Sequence, residues 1–281
     1  MASGIAWMDG QWGEPDQLSL PLSDRGLLLA DGLFETVLIL DGRTQLLDDH
    51  LMRWRTSAAV LGMAPPPIRS KLEPLIGEAV ERAGLRHQSG ALRLNWSRGS
   101  GEHRGISPPA SGQHRFWLTL HPCRPTFTPL NVITSRLERR SSGSLVNRCK
   151  TFAYAASIQA RREAEQSGAG DALLLNTEGE LCCSTVANLL VKRNGQWLTP
   201  PLASGCLPGV MRGRAVQQGL VQEDDLGSTL QSSDQALLIN SLSCRPLIGW
   251  NGQPLSRCSE AAELWKRLID GAAPPSPTSN A

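Results

Sequence analysis

Lysine is scarce in this sequence: Lys71, Lys150, Lys192 and Lys266 are the only four among 281 residues. No apolar run approaches the roughly 18 residues of a membrane-spanning helix. The N-terminus lacks a charged segment followed by an apolar core, so neither a membrane span nor a secretory leader is expected. Basic residues are scattered rather than massed, and a formal charge of +2 gives no argument for a nucleic-acid partner. Seven cysteines, an odd number without regular spacing, do not make a disulfide framework. A reducing, cytoplasmic setting is the expectation. There is no internal repeat, and strands and helices do not alternate strictly, which argues against a doubly wound fold.

What remains is an ordinary globular composition, 40% apolar and 19% charged, in a chain long enough for two modest domains. Asp9-Gly10 and Asp41-Gly42 mark hairpins. Asp48 and Asp49 read as cap and first-turn acids of a helix over 50–61, and a second helix is expected over 68–83, ending at Gly84. Strands are expected at 91–97 and 114–121, with a polar, glycine-rich loop at 99–105 between them. Three prolines within 121–129 read as a stiff linker. Domains are therefore expected at 1–120 and 130–271, followed by a disordered tail at 272–281. The fold class is α+β with largely antiparallel or mixed sheets. In the second domain the pattern gives strands from Val132 and at 172–176, a hairpin of 188–191 with 196–199, a strand at 235–240 and a closing helix at 259–269.

Lys150 stands apart from the other lysines. Lys71, Lys192 and Lys266 sit in polar settings and read as solvated charge. Lys150 begins a run, Thr151 to Ala160, that is Ala-rich and uncharged until Arg161. A lysine at the threshold of a buried helix is a candidate imine-forming amine. The same position also suits a helix-end lysine whose ammonium reaches water. Gly205 to Arg212 forms a Gly-rich turn opening a helix, a natural seat for a phosphate because unpaired N–H groups and the helix dipole converge there. Ser241 and Ser243 could add hydroxyl donors, and Arg53, near His50, a cationic fork. An amine for an imine and a seat for a phosphate together suggest pyridoxal phosphate.

With these residues in view, the chain resembles the class IV aminotransferases of pyridoxal-phosphate fold type IV, and most of all aminodeoxychorismate lyase. Asp24-Arg25-Gly26, Asp31-Gly32-Leu33-Phe34-Glu35-Thr36, His50-Leu51-Met52-Arg53, Lys150, Asn188-Leu189-Leu190 and Gly205 to Arg212 follow the family's motifs in order. The resemblance implies a two-domain fold like that of D-amino-acid aminotransferase, and pyridoxal 5'-phosphate as cofactor. It assigns Lys150 as the catalytic, cofactor-bearing lysine and Arg53, Gly209, Val210, Met211 and Ser241 as cofactor contacts. It also implies a small-molecule substrate, no metal, and a homodimer. One position departs from the family. Its signature has a glutamate five residues before the asparagine, facing the cofactor's pyridine nitrogen, and here that residue is Cys183. Glu180 lies three residues earlier, so on a regular strand it faces the other way and reaches the site only through a bulge. Cys182 and Cys183 read as small buried residues.

A thiol cannot hold the ring nitrogen protonated as a carboxylate does, which weakens the cofactor as an electron sink. The expected activity is conversion of 4-amino-4-deoxychorismate to 4-aminobenzoate and pyruvate, because aromatisation supplies a driving force that transamination lacks. Lys150 then serves as base at the α-carbon and as acid toward the departing group. The passage Asn240-Ser241-Leu242 to Arg245-Pro246-Leu247 also resembles the lyase branch. The alternatives are an aminotransferase for a branched-chain or D-amino acid, and a non-catalytic family member.

Overall fold

Asp9 and Gly10 take φ of 50° and 83°, and Asp41 and Gly42 take 46° and 72°, the pair of positive angles that a two-residue hairpin turn requires. Each turn joins strands of one sheet. In a computed structural model that describes residues 4–101, 105–109 and 113–271, the chain divides into two units. The first comprises the chain to Pro125 together with Arg148–Tyr154. The second comprises Thr126–Asn147 and the chain from Ala155 on.

The first unit contains β1 (Ile5–Met8), β2 (Gln11–Gly13), α1 (Arg25–Leu29), β3 (Gly32–Leu40) and β4 (Arg43–Thr44). Then come α2 (Leu47–Val60), α3 (Arg69–Arg82), β5 (Gly90–Ser97) and β6 (Arg115–Pro122). The six strands form one antiparallel sheet in the order β2-β1-β6-β5-β3-β4. Leu33, Val37, Leu92, Leu94, Leu118 and Leu120 share a core with Leu51, Trp54, Ala58, Leu72 and Ile76 of the two helices. Burying such apolar faces supplies most of the drive to fold.

The second unit adds β7 (Leu130–Arg140), α4 (Ala155–Gln166), β8 (Asp171–Asn176), β9 (Leu181–Ser184), β10 (Asn188–Arg193) and β11 (Gln196–Thr199). It continues with α5 (Val210–Gln217), β12 (Gln222–Glu223), β13 (Gln235–Asn240), β14 (Ser243–Trp250), β15 (Gln253–Pro254) and α6 (Ala261–Asp270). Strands run β12-β11-β10-β13-β14-β7-β8-β9, and β9 pairs back onto β10, so six of them close a ring. Pairing is parallel at β7–β14, β7–β8 and β11–β12 and antiparallel elsewhere in this sheet. The α+β class with antiparallel and mixed sheets holds.

Several expectations change. The helix expected at His50 starts at Leu47, because Leu46 takes a left-handed φ of 55° and turns the chain into the helix; Asp48 and Asp49 lie in the first turn and neither is the cap. Strand β6 runs into the segment read as linker, to Pro122. Residues 148–154, counted by sequence with the second domain, fold with the first unit. Lys150 does not stand at a helix threshold: α4 begins at Ala155, and Ile158 on it is exposed. Strand β14 was not anticipated, since Pro246 disguises it. The expected tail at 272–281 and residues 102–104 of the glycine-rich loop lie outside the described residues.

Candidate active site

Lys150 is placed by backbone pairing. The Phe34 N–H donates to the Lys150 carbonyl at 2.9 Å, the Phe152 N–H donates to the Gly32 carbonyl at 3.1 Å, and Leu33 bridges to Thr151. The segment thus lies as a short extra strand along the first half of β3. Glycine is needed opposite it, because a Cβ at Gly32 would come within 2.2 Å of the Phe152 ring. The residue is partly exposed, but the tip of its side chain is enclosed. Nζ lies 4.3 Å from the centre of the Phe34 ring and donates to the Tyr154 hydroxyl at 3.3 Å. Burial, helped by the positive charges of Arg53 and Arg93 and opposed by Glu35, brings the amine from its ordinary 10.5 to about 7. Near neutral pH a large fraction of it is therefore the free base, the form that attacks an aldehyde.

Arg53 lies on α2 with His50, and both meet Glu35 of β3. Glu35 is fully buried. Its Oε1 accepts from Arg53 Nε at 2.8 Å, and its Oε2 accepts from an outer nitrogen of Arg53 at 2.5 Å and from His50 Nδ1 at 2.7 Å. Burial alone would raise this carboxyl, but Arg53's charge and the donated hydrogen bonds outweigh it and hold it at about 2. His50 is pushed down by burial, against the pull of Glu35, so it is neutral at physiological pH. The cluster is a buried carboxylate and guanidinium with a neutral imidazole beside them.

Arg93 on β5 stands opposite Thr36 in the sheet register. Its guanidinium lies 3.5 Å over the Phe34 ring, and its Nε donates to Asn95 Oδ1 at 2.7 Å. Burial lowers its pKa. Among the described residues it makes no ion pair with a carboxylate. A half-buried cation with no carboxylate partner among the described residues, beside an amine, suits an acidic ligand.

The remaining sequence candidates belong to the second unit. Cys183 on β9 pairs with Asn188 on β10. The Asn188 side chain donates to the Leu207 carbonyl at 2.9 Å, and its Oδ1 packs so closely on Gly209 that a Cβ there would sit 2.0 Å from it. Gly209 caps α5, so the N–H groups of Val210 and Met211 open the helix without intrahelical acceptors. Ser241 lies in the β13–β14 turn, where the Asn240 side chain accepts from Leu242 N–H and Ser243 Oγ. Cys182 and Cys183 are buried, as expected. The β8–β9 ladder does carry a bulge, since Leu174 pairs with Cys183 and Leu175 with Leu181. With Cys182 as the extra residue, Glu180, whose carbonyl takes the Asn176 N–H at 2.8 Å, falls on the same face of the ladder as Cys183. Glu180 precedes the strand and accepts from Asn176 Nδ2 at 2.8 Å.

Glu35, Arg93 and Tyr154 were not singled out by sequence reasoning. The signals existed: a charge inside the alternating run 91–97, and the chain's only tyrosine four residues after Lys150. Among the described residues no cluster of three or more metal-ligating side chains occurs, and no helix is long and apolar enough to cross a membrane.

A six-stranded antiparallel sheet in one unit and a ring-closed mixed sheet in the other define a class of fold that solved structures share. A hypothetical aminotransferase from Mycobacterium tuberculosis, solved in its pyridoxal-phosphate-bound form, superposes with a TM-score of 0.80 at 23% identity, over 95% of this chain and 99% of that one. The sequence pattern of the class IV aminotransferases matches residues 32–248, and the chain belongs to that family, whose members depend on pyridoxal phosphate. A Schizosaccharomyces pombe protein provisionally named aminodeoxychorismate lyase is 31% identical over 215 residues, 74% of this chain and 85% of its own length. A Mycobacterium tuberculosis protein named as a bifunctional aminodeoxychorismate lyase and D-amino acid transaminase is 28% identical over 70% of this chain and 71% of its own. Similar proteins also carry branched-chain and D-alanine aminotransferase names.

Proposed function

We propose that the protein is a pyridoxal-phosphate-dependent lyase that converts 4-amino-4-deoxychorismate to 4-aminobenzoate and pyruvate, a step in making folate precursors. The observation that carries the reading is the Lys150 amine set 4.3 Å from the centre of the Phe34 ring and bonded to the Tyr154 hydroxyl, where burial and the charges of Arg53 and Arg93 lower its pKa. The donor set of the first unit suits pyridoxal phosphate: an amine for its aldehyde and a guanidinium for its phosphate. Lys150 would hold the cofactor, with Arg53, Gly209, Val210, Met211 and Ser241 on its phosphate and Cys183 at its ring nitrogen. When bound, the cofactor supplies a conjugated ring that takes up the electron pair released at the substrate carbon.

This chain's own residues then do the proton work. Once the substrate amine has displaced it from the cofactor, Lys150 Nζ would take the proton from the carbon bearing that amine and deliver a proton to the methylene carbon of the pyruvate unit as the C–O bond to the ring breaks. The Tyr154 hydroxyl orients Nζ. Arg93, a cation without a carboxylate partner among the described residues, offers a seat for one of the substrate's two carboxylates. Aromatisation of the ring lessens the demand on the electron sink, and Cys183 in place of a carboxylate supports the lyase over the transaminase on that ground.

An aminotransferase for a branched-chain or D-amino acid is the second reading, favoured by the names of several relatives. We further propose that the enzyme acts as a cytoplasmic homodimer. The test supplies the purified protein with aminodeoxychorismate, and separately with D-alanine or leucine plus 2-oxoglutarate. Aminobenzoate in the first and little glutamate in the second is expected. Fast glutamate formation without aminobenzoate would reverse the assignment.

A further inference from the structure

We infer that Glu35 is a positioning residue that fixes the Arg53 guanidinium for an anionic group of the bound ligand, the phosphate of pyridoxal phosphate; this rests on the cofactor reading above. Glu35 alternates with Leu33 and Val37 on the face of β3 that builds the apolar core. A carboxylate there is not what packing asks for. An apolar residue of similar volume commonly serves a core as well as a buried ion pair does, or better. The charge is kept, and all its bonds are directed to one helix. Oε1 and Oε2 grip Nε and an outer nitrogen of Arg53, which fixes the plane of the guanidinium, while His50 Nδ1 ties Oε2 from one turn earlier on α2.

An arginine gripped along one edge cannot rotate about its last bonds, so its orientation is set before any ligand arrives. Arg53 is nearly buried, with 10% of its side-chain surface exposed, so that orientation is not averaged by solvent. Among the described residues Glu35 makes no hydrogen bond to Lys150, and its charge acts on that amine less than burial and Arg53 do. On the phosphate it acts through Arg53.

The experiment compares pyridoxal 5'-phosphate with pyridoxal, which lacks the phosphate, by equilibrium dialysis of the full-length protein. The variants are Glu35→Gln, Arg53→Gln and the two combined. Glu35→Gln should lose about tenfold or more in affinity for the phosphorylated ligand, as loss of a charge-assisted bond implies. Its affinity for pyridoxal should stay within about twofold, and the same change in an Arg53→Gln background should add nothing. An equal loss for both ligands, or full phosphate selectivity retained in Glu35→Gln, overturns the inference. If Glu35→Gln does not fold, Glu35→Asp takes its place: its shorter arm should draw Arg53 back and cost phosphate selectivity alone, and unaltered selectivity overturns the inference equally. A wild-type protein that binds both ligands alike overturns the cofactor reading together with this one. A selective wild type with insensitive Glu35 variants overturns the positioning role alone.

Discussion

The amine of Lys150 lies 4.3 Å from the centre of the Phe34 ring and bonds to the Tyr154 hydroxyl at 3.3 Å. No other lysine has such a setting. Lys192 pairs with Glu260 on the surface, and Lys71 is exposed on α3. Lys150→Ala should therefore abolish the visible absorbance of protein-held cofactor, its fixation by borohydride, and activity together. A variant that keeps borohydride-fixed cofactor would move the active site elsewhere.

Lys150 was legible for a reason that proved only partly physical. Scarcity and an uncharged following run singled it out, and both remain true. The buried helix invoked to desolvate it does not exist, as α4 starts at Ala155 and shows Ile158 to solvent. Desolvation comes instead from pairing beside β3, which brings Phe34 and Tyr154 around the amine. No local pattern encodes a bond between residues more than a hundred positions apart. The Glu35–His50–Arg53 cluster was half legible: His50 and Arg53 were read from their spacing, but their shared carboxylate sits 15 residues before one and 18 before the other. The helix start after the Gly-rich turn was legible, because Gly209 and the first turn of α5 are set by local chemistry. At β14, Pro246 hid a strand that antiparallel pairing with β13 and parallel pairing with β7 maintain.

Protonation of Lys150 and Glu35 should shape stability in opposite parts of the pH range. The folded Lys150 amine titrates at about 7, below its ordinary 10.5. Between these values the unfolded chain binds more protons, so stability rises with pH across that window, and below about 7 the full cost of burying the cation is present. Lys150→Met should therefore be more stable than wild type at about pH 6, with the advantage shrinking by about pH 9. Glu35, held at about 2 against 4.5, stabilises the fold above 4.5 and loses that contribution as pH falls toward 2. Urea midpoints of cofactor-free protein across the range check both. A Lys150→Met advantage independent of pH would mean that the amine titrates normally.

The proposed homodimer has a candidate surface in the first unit. Helix α1 leaves Leu27, Leu28 and Leu29 exposed, and the Arg25 guanidinium, donating to the Gly105, Ile106 and Ser107 carbonyls, holds the exposed Ile106 beside that helix. Clustered large apolar side chains of this kind mark an association surface. Light scattering should give twice the monomer mass, and Leu28→Asp should shift the protein toward monomer. A wild-type monomer with full activity would remove this expectation.

Cys183 stands where the family resemblance leads one to expect a glutamate, and its surroundings sharpen the test. It is buried in an apolar cluster with Ala160, Ala164, Ala172, Leu174, Cys182 and Cys206, and among the described residues no ion pair or hydrogen bond to a cation reaches it. Cys183→Glu should therefore destabilise the cofactor-free protein by several kcal/mol, because its carboxylate is buried without a partner. If the position faces the ring nitrogen, pyridoxal phosphate supplies that partner. Added cofactor should then raise the melting temperature of the variant more than that of wild type, and transaminase side activity should rise while lyase activity changes less. Glu180→Gln should be nearly silent. Its carboxylate accepts from Asn176 in the turn before β9, and a glutamine carbonyl can accept the same hydrogen bond. If Glu180→Gln inactivates the enzyme and cofactor fails to rescue Cys183→Glu, then Glu180 serves the ring nitrogen in the working enzyme. The electron sink would be that of an ordinary transaminase, and the preference for a lyase would lose its electrostatic support.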